Sequence, residues 1–184
     1  ALPISYNADE ARRRWESGLD ALGQKSATLT ILCAQEHADM IRKLIQTWQG
    51  ALGITLILRL EAVDRAELRT RLEKGDYEIA FAPVTASGSS AVEFLSQFAS
   101  AASGNLLNYS SEAYNKIISS MNMAASRQLI QLCKQAETHL IQNGLVYPLY
   151  AESSFFAMAQ NVSGIVYHTL DGTVRFLKGE RLDS

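Results

Sequence analysis

The chain has 184 residues, of which 47% are hydrophobic and 20% charged, and its 17 basic and 19 acidic residues give a formal net charge of −2. A chain of this length and composition can fold as one globular domain with a core large enough to need no disulfide or metal. The small net charge gives no electrostatic reason to expect nucleic acid or an anionic membrane as partner, and no apolar run reaches the ~18 residues of a transmembrane helix.

The first half of the chain predicts alternating helices and strands. Asn7 or Asp9 can cap a helix to about Ser17, whose arginine run at 12–14 we interpret as a solvated face. Strands are predicted at 28–32, 54–61 and 77–82. The helices between them cover about 36–52, with Met40, Leu44 and Trp48 facing the sheet, and 64–74, with Asp64 and Glu67 at its start and Gly75 at its end. This order predicts an α/β fold with a mixed, largely parallel sheet and packed helices.

The second half predicts mainly helices. A short helix is expected at about 91–98, and two longer ones start at Ser111 and Ser126. Strand-like pieces follow at 149–152, 155–159 and 164–167. The residues expected to face inward from the two longer helices are Tyr114, Ile117, Ile118, Met121, Leu129, Ile130, Cys133, Ala136, Leu140 and Ile141.

No motif for catalysis, metal binding or a cofactor is found. The small, polar stretch 84–90 follows the third strand but lacks the G-x-S-x-G pattern of a nucleophile, and no histidine lies in a recognisable base motif. Zinc, calcium and nucleotide motifs are missing as well, so we expect no catalytic residue, no metal ligand and no cofactor. Cys33 and Cys133 could form a disulfide in an oxidising compartment, but two small buried residues are the favoured interpretation.

Three segments carry a resemblance to a known family. They are Gly75–Ala80 (GDYEIA), Asn108–Asn115 (NYSSEAYN) and Val146–Tyr150 (VYPLY). In order and spacing they are similar to "GDYD", "YSNPEYD" and "hPLY" in the C-terminal lobe of extracellular solute-binding proteins of the peptide/nickel ABC importer family (family 5, oligopeptide/dipeptide-binding type). The resemblance spans most of the chain, from a helix start at Tyr6 to Val162-Ser163-Gly164.

The resemblance implies a periplasmic-binding-protein-like lobe that binds a peptide or another small solute without chemistry. Residues 1–184 would form a single α/β lobe of a longer, two-lobed receptor, with the segment from about 150 leading back towards the N-terminal lobe. The implied partners are that missing N-terminal lobe and an ABC permease in the membrane, with no nucleic acid. The implied location is extracytoplasmic, in the periplasm or lipid-anchored at the outer face of a bacterial cell membrane.

The resemblance also places the ligand-facing edge. In the family, the segment after the "GDYD" strand carries an acidic residue that pairs with the ammonium group of a bound peptide. Counting back from Phe94-Leu95, Ser87 occupies that position here, and a serine cannot supply the same charge-assisted bond. The candidate ligand-binding residues are Val84, Thr85, Ala86, Ser87, Gly88 and Asn105.

Two other functions remain open from the sequence. This fold also serves as a ligand-sensing domain fused to a DNA-binding module, and a small α/β enzyme would need a reactive Ser or His near 83–90. The first six residues show neither a basic nor an apolar region of a signal peptide. Because the family's proteins are much longer, we expect the chain to be an excised or naturally truncated part of one.

Overall fold

The structure, a computed structural model, describes residues 5–85, 90–151, 157–167, 174–176 and 178–181. Its helices are α1 (Ala8–Ala21), α2 (Ala38–Leu52), α3 (Arg65–Lys74), α4 (Ala91–Ser96), α5 (Glu112–Met121) and α6 (Ser126–Gln142), with a 3-10 turn at Gln35–His37. Its strands are β1 (Ala27–Ala34), β2 (Leu56–Val63), β3 (Ile79–Phe81), β4 (Val162–Ser163), β5 (Val166–Tyr167), β6 (Val174–Arg175) and β7 (Glu180–Arg181). The predicted α/β class is therefore confirmed.

The three predicted strands form one parallel sheet in the order β2-β1-β3. Ala27 pairs with Leu56 and Ala34 with Val63, while Cys33 pairs with Phe81 on the other side of β1. The second strand starts two residues later than predicted because Gly53 turns the chain with a positive φ of 85°. Ile54, the first residue of the predicted strand, therefore lies outside β2 and is 95% exposed.

One face of the sheet packs against α1 and α2. Ile31, Ile41, Ile45 and Leu58 are buried at its centre, and each fully buried aliphatic side chain contributes about 1.5–3 kcal/mol. Met40, Leu44 and Trp48 pack against the same cluster, as predicted, but only half-buried. The buried face of α2 is thus centred on Ile41 and Ile45, one residue after the predicted positions Met40 and Leu44.

The other face packs against α3. Leu32, Val63, Leu68 and Leu72 are buried there, together with Ala34. The side chain of Asp64 accepts a hydrogen bond from the Glu67 N–H at 2.8 Å, as the predicted capping pattern requires. Gly75 ends the helix in the left-handed conformation, at φ 68°.

Helix α1 extends past its predicted end, and two of its side chains bond to the end of α2 and to the turn before β2. The Arg12 guanidinium donates to the carbonyl oxygen of Ala51 at 2.6 Å and 2.9 Å, and the Trp15 N–H donates to Thr55 Oγ1 at 2.9 Å. Arg13 and Arg14 are exposed and pair with Glu10. The arginine run is solvated, but Arg12 also ties α1 to the end of α2.

Helices α4, α5 and α6 enclose a separate core. Tyr114 is 1% exposed at its centre, and Ala136 is fully buried beside it. Ile130 was predicted to face this core but is 58% exposed. The inward positions of α6 are Leu129, Cys133, Ala136 and Leu140, and Ile130 lies about 100° round the helix from Leu129.

The last part of the chain contains short antiparallel pairs. Strand β4 pairs with β7, and β5 pairs with β6. Of the predicted strand-like pieces, only 164–167 overlaps a strand; residues 149–151 and 157–159 have none, and 152–156 lie outside the described residues. Both cysteines are free: Cys33 is buried in the sheet core, as interpreted, whereas Cys133 is only half-buried against the helical core. In the described ranges, no helix is both long and apolar enough to cross a membrane.

Candidate functional site

The carboxyl ends of the three parallel strands meet at one edge of the sheet. Ala34, Val63 and Phe81 are the last residues of β1, β2 and β3; Ala34 pairs with Val63, and Phe81 pairs with Cys33, one residue before Ala34. The residues that follow are 35–37, 64–65 and 82–85. Open parallel sheets bind ligands at this edge because the loops there converge and their backbone groups are not used by the sheet. We call these loops the carboxyl edge.

Part of the predicted ligand-binding segment lies on the carboxyl edge. Val84 and Thr85 lie in the loop that follows β3 and are exposed, Val84 at 42%. Ala86, Ser87 and Gly88 lie outside the described residues. The ligand-binding role of this segment therefore stays a prediction.

Asn105, the remaining candidate, has its side-chain amide engaged within its own loop. Its Nδ2 donates to the carbonyl oxygen of Tyr109 at 3.0 Å, and its Oδ1 accepts from the Leu107 N–H at 3.2 Å. A ligand would have to compete with these two bonds. The geometry accounts for Asn105 as the residue that shapes the turn, and a ligand contact there stays a prediction.

The structure brings three rings together at the carboxyl edge. The His37 ring meets the Phe81 ring edge-on, with centroids 5.0 Å apart, and Phe81 stacks on Tyr150 at 6.3 Å and 28°. Tyr150 follows α6 in the chain and is 52% exposed. The sequence interpretation did not include His37, Phe81 or Tyr150 in the site. The available signal was that Phe81 lies at the end of the predicted strand 77–82 and that His37 lies at the start of the helix predicted after the strand 28–32.

The carboxyl edge also carries an ion pair. Arg65 Nε lies 2.7 Å and 2.9 Å from the two carboxylate oxygens of Glu36, which joins the loop after β1 to the start of α3. The hydrogen bond from Arg65 holds the pKa of Glu36 below its ordinary value. His37 Nε2 lies 3.6 Å from the same carboxylate. The charges of Glu36 and Arg65 offset each other, and the edge also carries the Asp64 carboxylate, which accepts the Glu67 N–H.

Two open cavities lie elsewhere on the described part of the molecule. One, of about 320 Å³, lies beside Thr30, Arg71 and Glu78, where Arg71 pairs with Glu61 and Asp76. The other, of about 590 Å³, lies between α1 and the start of β1. Neither includes a residue of the carboxyl edge. Val84, Thr85 and Tyr150 are exposed at the edge, so a ligand that contacts them would need a second surface to enclose it.

A polar group in the helical core has a structural role. Tyr109 Oη lies 3.1 Å from His139 Nε2, and Ser111 Oγ lies 3.5 Å from the same nitrogen. Ser111 Oγ also accepts the Tyr114 N–H and so caps α5. This arrangement lacks a base held against an exposed nucleophile. Among the described residues, no group of three His, Cys, Asp or Glu side chains could hold a metal ion.

Solved structures resemble this chain closely in their backbone. The substrate-binding domain of an oligopeptide ABC transporter from Bacillus anthracis has a TM-score of 0.80 at 18% identity, and the match covers 98% of this chain and 36% of that one. Listeria monocytogenes OppA bound to peptide has a TM-score of 0.77 at 19% identity, over 97% and 34%. The periplasmic binding protein DppA from Helicobacter pylori, in complex with the peptide STSA, has 0.62 at 20%, over 78% and 28%.

The chain has the fold of these peptide-binding proteins. The resemblance inferred from the three segments is thereby confirmed at the level of fold. The chain spans about a third of the length of the first two structures, so it corresponds to only part of each of those proteins. No protein-family model and no curated protein sequence matches the chain.

Proposed function

We propose that this chain is one lobe of the substrate-binding component of a peptide ABC importer. The observation that carries the proposal is that 98% of the chain follows the backbone of a substrate-binding domain of an oligopeptide transporter at a TM-score of 0.80. The ligand is a peptide or another small solute. The lobe binds it and delivers it without chemical change.

The proposed partners follow from the same comparison. An N-terminal lobe of the same protein would close over the ligand by hinge motion, and the closed receptor would then engage an ABC permease. The segment from about 150 would lead back towards that lobe. The proposed location is extracytoplasmic, either in the periplasm or lipid-anchored at the outer face of the cell membrane. The periplasmic Helicobacter pylori protein supports the first of these.

The chemistry of the carboxyl edge supports binding rather than catalysis. Two of its charged side chains, Glu36 and Arg65, bond to each other, and the rings beside them are suited to contact a ligand. The backbone of Val84 and Thr85, with Ala86, Ser87 and Gly88, would form the ligand-facing segment. Its small side chains would let a ligand approach the main-chain N–H groups closely.

Titration calorimetry tests the proposal. A peptide library would be titrated into the full-length protein and into residues 1–184 alone. A micromolar full-length receptor binds with about −8 kcal/mol, and a single lobe, which buries only about half of the ligand, is expected near millimolar affinity, about −4 kcal/mol. Micromolar binding by residues 1–184 alone would contradict the one-lobe proposal, and absence of peptide binding by the full-length protein would overturn the peptide proposal.

A second experiment tests the position of the missing acid. Ser87→Asp in the full-length protein is expected to strengthen binding of peptides with a free N-terminus, because a carboxylate can form a charge-assisted bond with the ammonium group, a gain of about 1.5–3 kcal/mol. N-acetylated peptides provide the control and should not gain. Equal effects on both peptide forms would show that Ser87 does not occupy the acidic position.

A further inference from the structure

The three rings of the carboxyl edge come from three separate parts of the chain. His37 follows the central strand β1, Phe81 ends the edge strand β3, and Tyr150 follows α6. Their centroid distances of 5.0 Å and 6.3 Å lie within the range of favourable aromatic pairs. We call these residues the ring row.

The ring row is only partly covered by the rest of the described molecule. His37 and Phe81 are half-buried, whereas Tyr150 is 52% exposed. Val84, three residues after Phe81, adds exposed aliphatic surface at 42%. A rigid aromatic side chain whose inner face is already packed loses little conformational freedom when its outer part contacts a ligand.

The two charges that adjoin His37 in the ring row, those of Glu36 and Arg65, offset each other. Glu36 is bound through both carboxylate oxygens by Arg65, and this pair adjoins His37. A charged ligand side chain placed here would meet no net opposite charge and would lose part of its hydration. An uncharged apolar side chain has no such cost.

We propose that the ring row is a subsite for an aromatic side chain of the bound peptide, with Tyr150 as its principal contact. This inference rests on the proposed function and adds the class of side chain that the lobe selects. The ligand ring contacts the exposed part of Tyr150, Phe81 packs against the Tyr150 ring, and His37 packs against Phe81 in turn. Tyr150 is thus a specificity-determining residue.

Calorimetry with matched peptides tests the inference on the full-length protein. The probes are tetrapeptides that carry Phe, Leu, Lys or Glu at one position at a time, with alanine elsewhere. At one position the Phe peptide should bind about 2- to 12-fold more tightly than the Leu peptide. This fold-change corresponds to the free energy that an aromatic pair contributes in addition to the burial of its apolar surface. The Lys and Glu peptides should both bind more weakly than Leu there.

Three variants assign this preference to Tyr150. Tyr150→Ala should abolish the preference for Phe over Leu, and Tyr150→Phe should keep it because the ring remains. Tyr147→Ala is the matched control: Tyr147 is similarly exposed, at 56%, and lies in the same segment. Equal thermal unfolding midpoints for the variants would exclude loss of folding as the cause.

The outcomes separate the two proposals. If peptides bind without a preference for Phe at any position, or if Tyr150→Ala keeps the preference, the ring-row subsite is refuted while the receptor function stands. If no peptide of the library binds, both the subsite and the proposal that the ligand is a peptide are refuted.

Discussion

Replacing Tyr114 by Phe removes a single oxygen atom from the helical core and so measures the contribution of one buried hydroxyl to stability. The Tyr114 ring is 1% exposed, and its hydroxyl donates to the carbonyl oxygen of Leu95 at 2.8 Å. That oxygen also accepts the Phe98 N–H at 3.2 Å, so the substitution leaves it with a partner. The expected loss at pH 7 is therefore the net value of one hydrogen bond, about 0.5–1.5 kcal/mol, rather than the larger cost of an unsatisfied group.

The same substitution should change how stability depends on pH. Burial raises the pKa of Tyr114 to about 12, whereas a tyrosine in the unfolded chain ionises near pH 10. Because the folded-state pKa is the higher one, this contribution to stability is complete below pH 10 and is lost as the pH rises towards 12. By pH 11 the loss is about 1.4 kcal/mol, and Tyr114→Phe does not suffer it.

Urea unfolding followed by circular dichroism from pH 7 to 11 gives the free energies. The native protein should be the more stable one at pH 7 and about equal to Tyr114→Phe at pH 11. Other titrating groups, including the half-buried Tyr77, are common to both proteins and cancel in the difference. Tyr147→Phe controls for loss of a hydroxyl from an exposed ring and should change the free energy at pH 7 by no more than about 0.5 kcal/mol. A difference that stays constant across this range would refute the assigned burial of the Tyr114 hydroxyl.

Three other predictions concern the sheet unit. Leu58→Ala should lower the free energy of unfolding by about 2–5 kcal/mol, because Leu58 is buried. Arg13→Ala should change it by no more than about 0.5 kcal/mol, because Arg13 is exposed. Urea unfolding measures both, and a larger loss for Arg13→Ala than for Leu58→Ala would contradict the core assignment. Gly75→Ala should cost at least about 1–2 kcal/mol by the same assay, because φ is +68° and the new Cβ would overlap the Asn108 side chain. Arg65→Ala should raise the pKa of Glu36 towards its ordinary value in an NMR titration, and an unchanged pKa would contradict the ion pair.

The sequence predicted the parts of the fold that local chemistry determines. Asp64, Ser111 and Gly75 mark helix ends through their own side chains or conformational freedom, and the structure confirms all three. Errors arose where tertiary packing decides. Ile54 is as apolar as a strand residue but lies in the turn after Gly53, and Ile130 is turned away from a core whose position the local pattern does not specify.

The candidate site was less predictable for the same reason. Val84 and Thr85 could be placed because they lie in the loop that follows a strand. The contact of Tyr150 with Phe81 joins residues 69 positions apart, and it depends on how the chain after α6 returns to the sheet. The Glu36–Arg65 pair likewise depends on β1 and β2 being neighbours in the sheet.

The junction between the two cores has a consequence for the cooperativity of unfolding. Leu106 packs against the sheet core and its neighbour Leu107 against the helical core, while the Tyr77 hydroxyl donates to the Leu106 carbonyl at 2.6 Å. Tyr150, which follows the last helix, adds a second connection through Phe81. If α4–α6 open as a unit before the sheet does, hydrogen exchange would show their amides exchanging together at a lower free energy than those of β1. A ligand bound across Val84 and Tyr150 would contact both units and should slow that opening selectively.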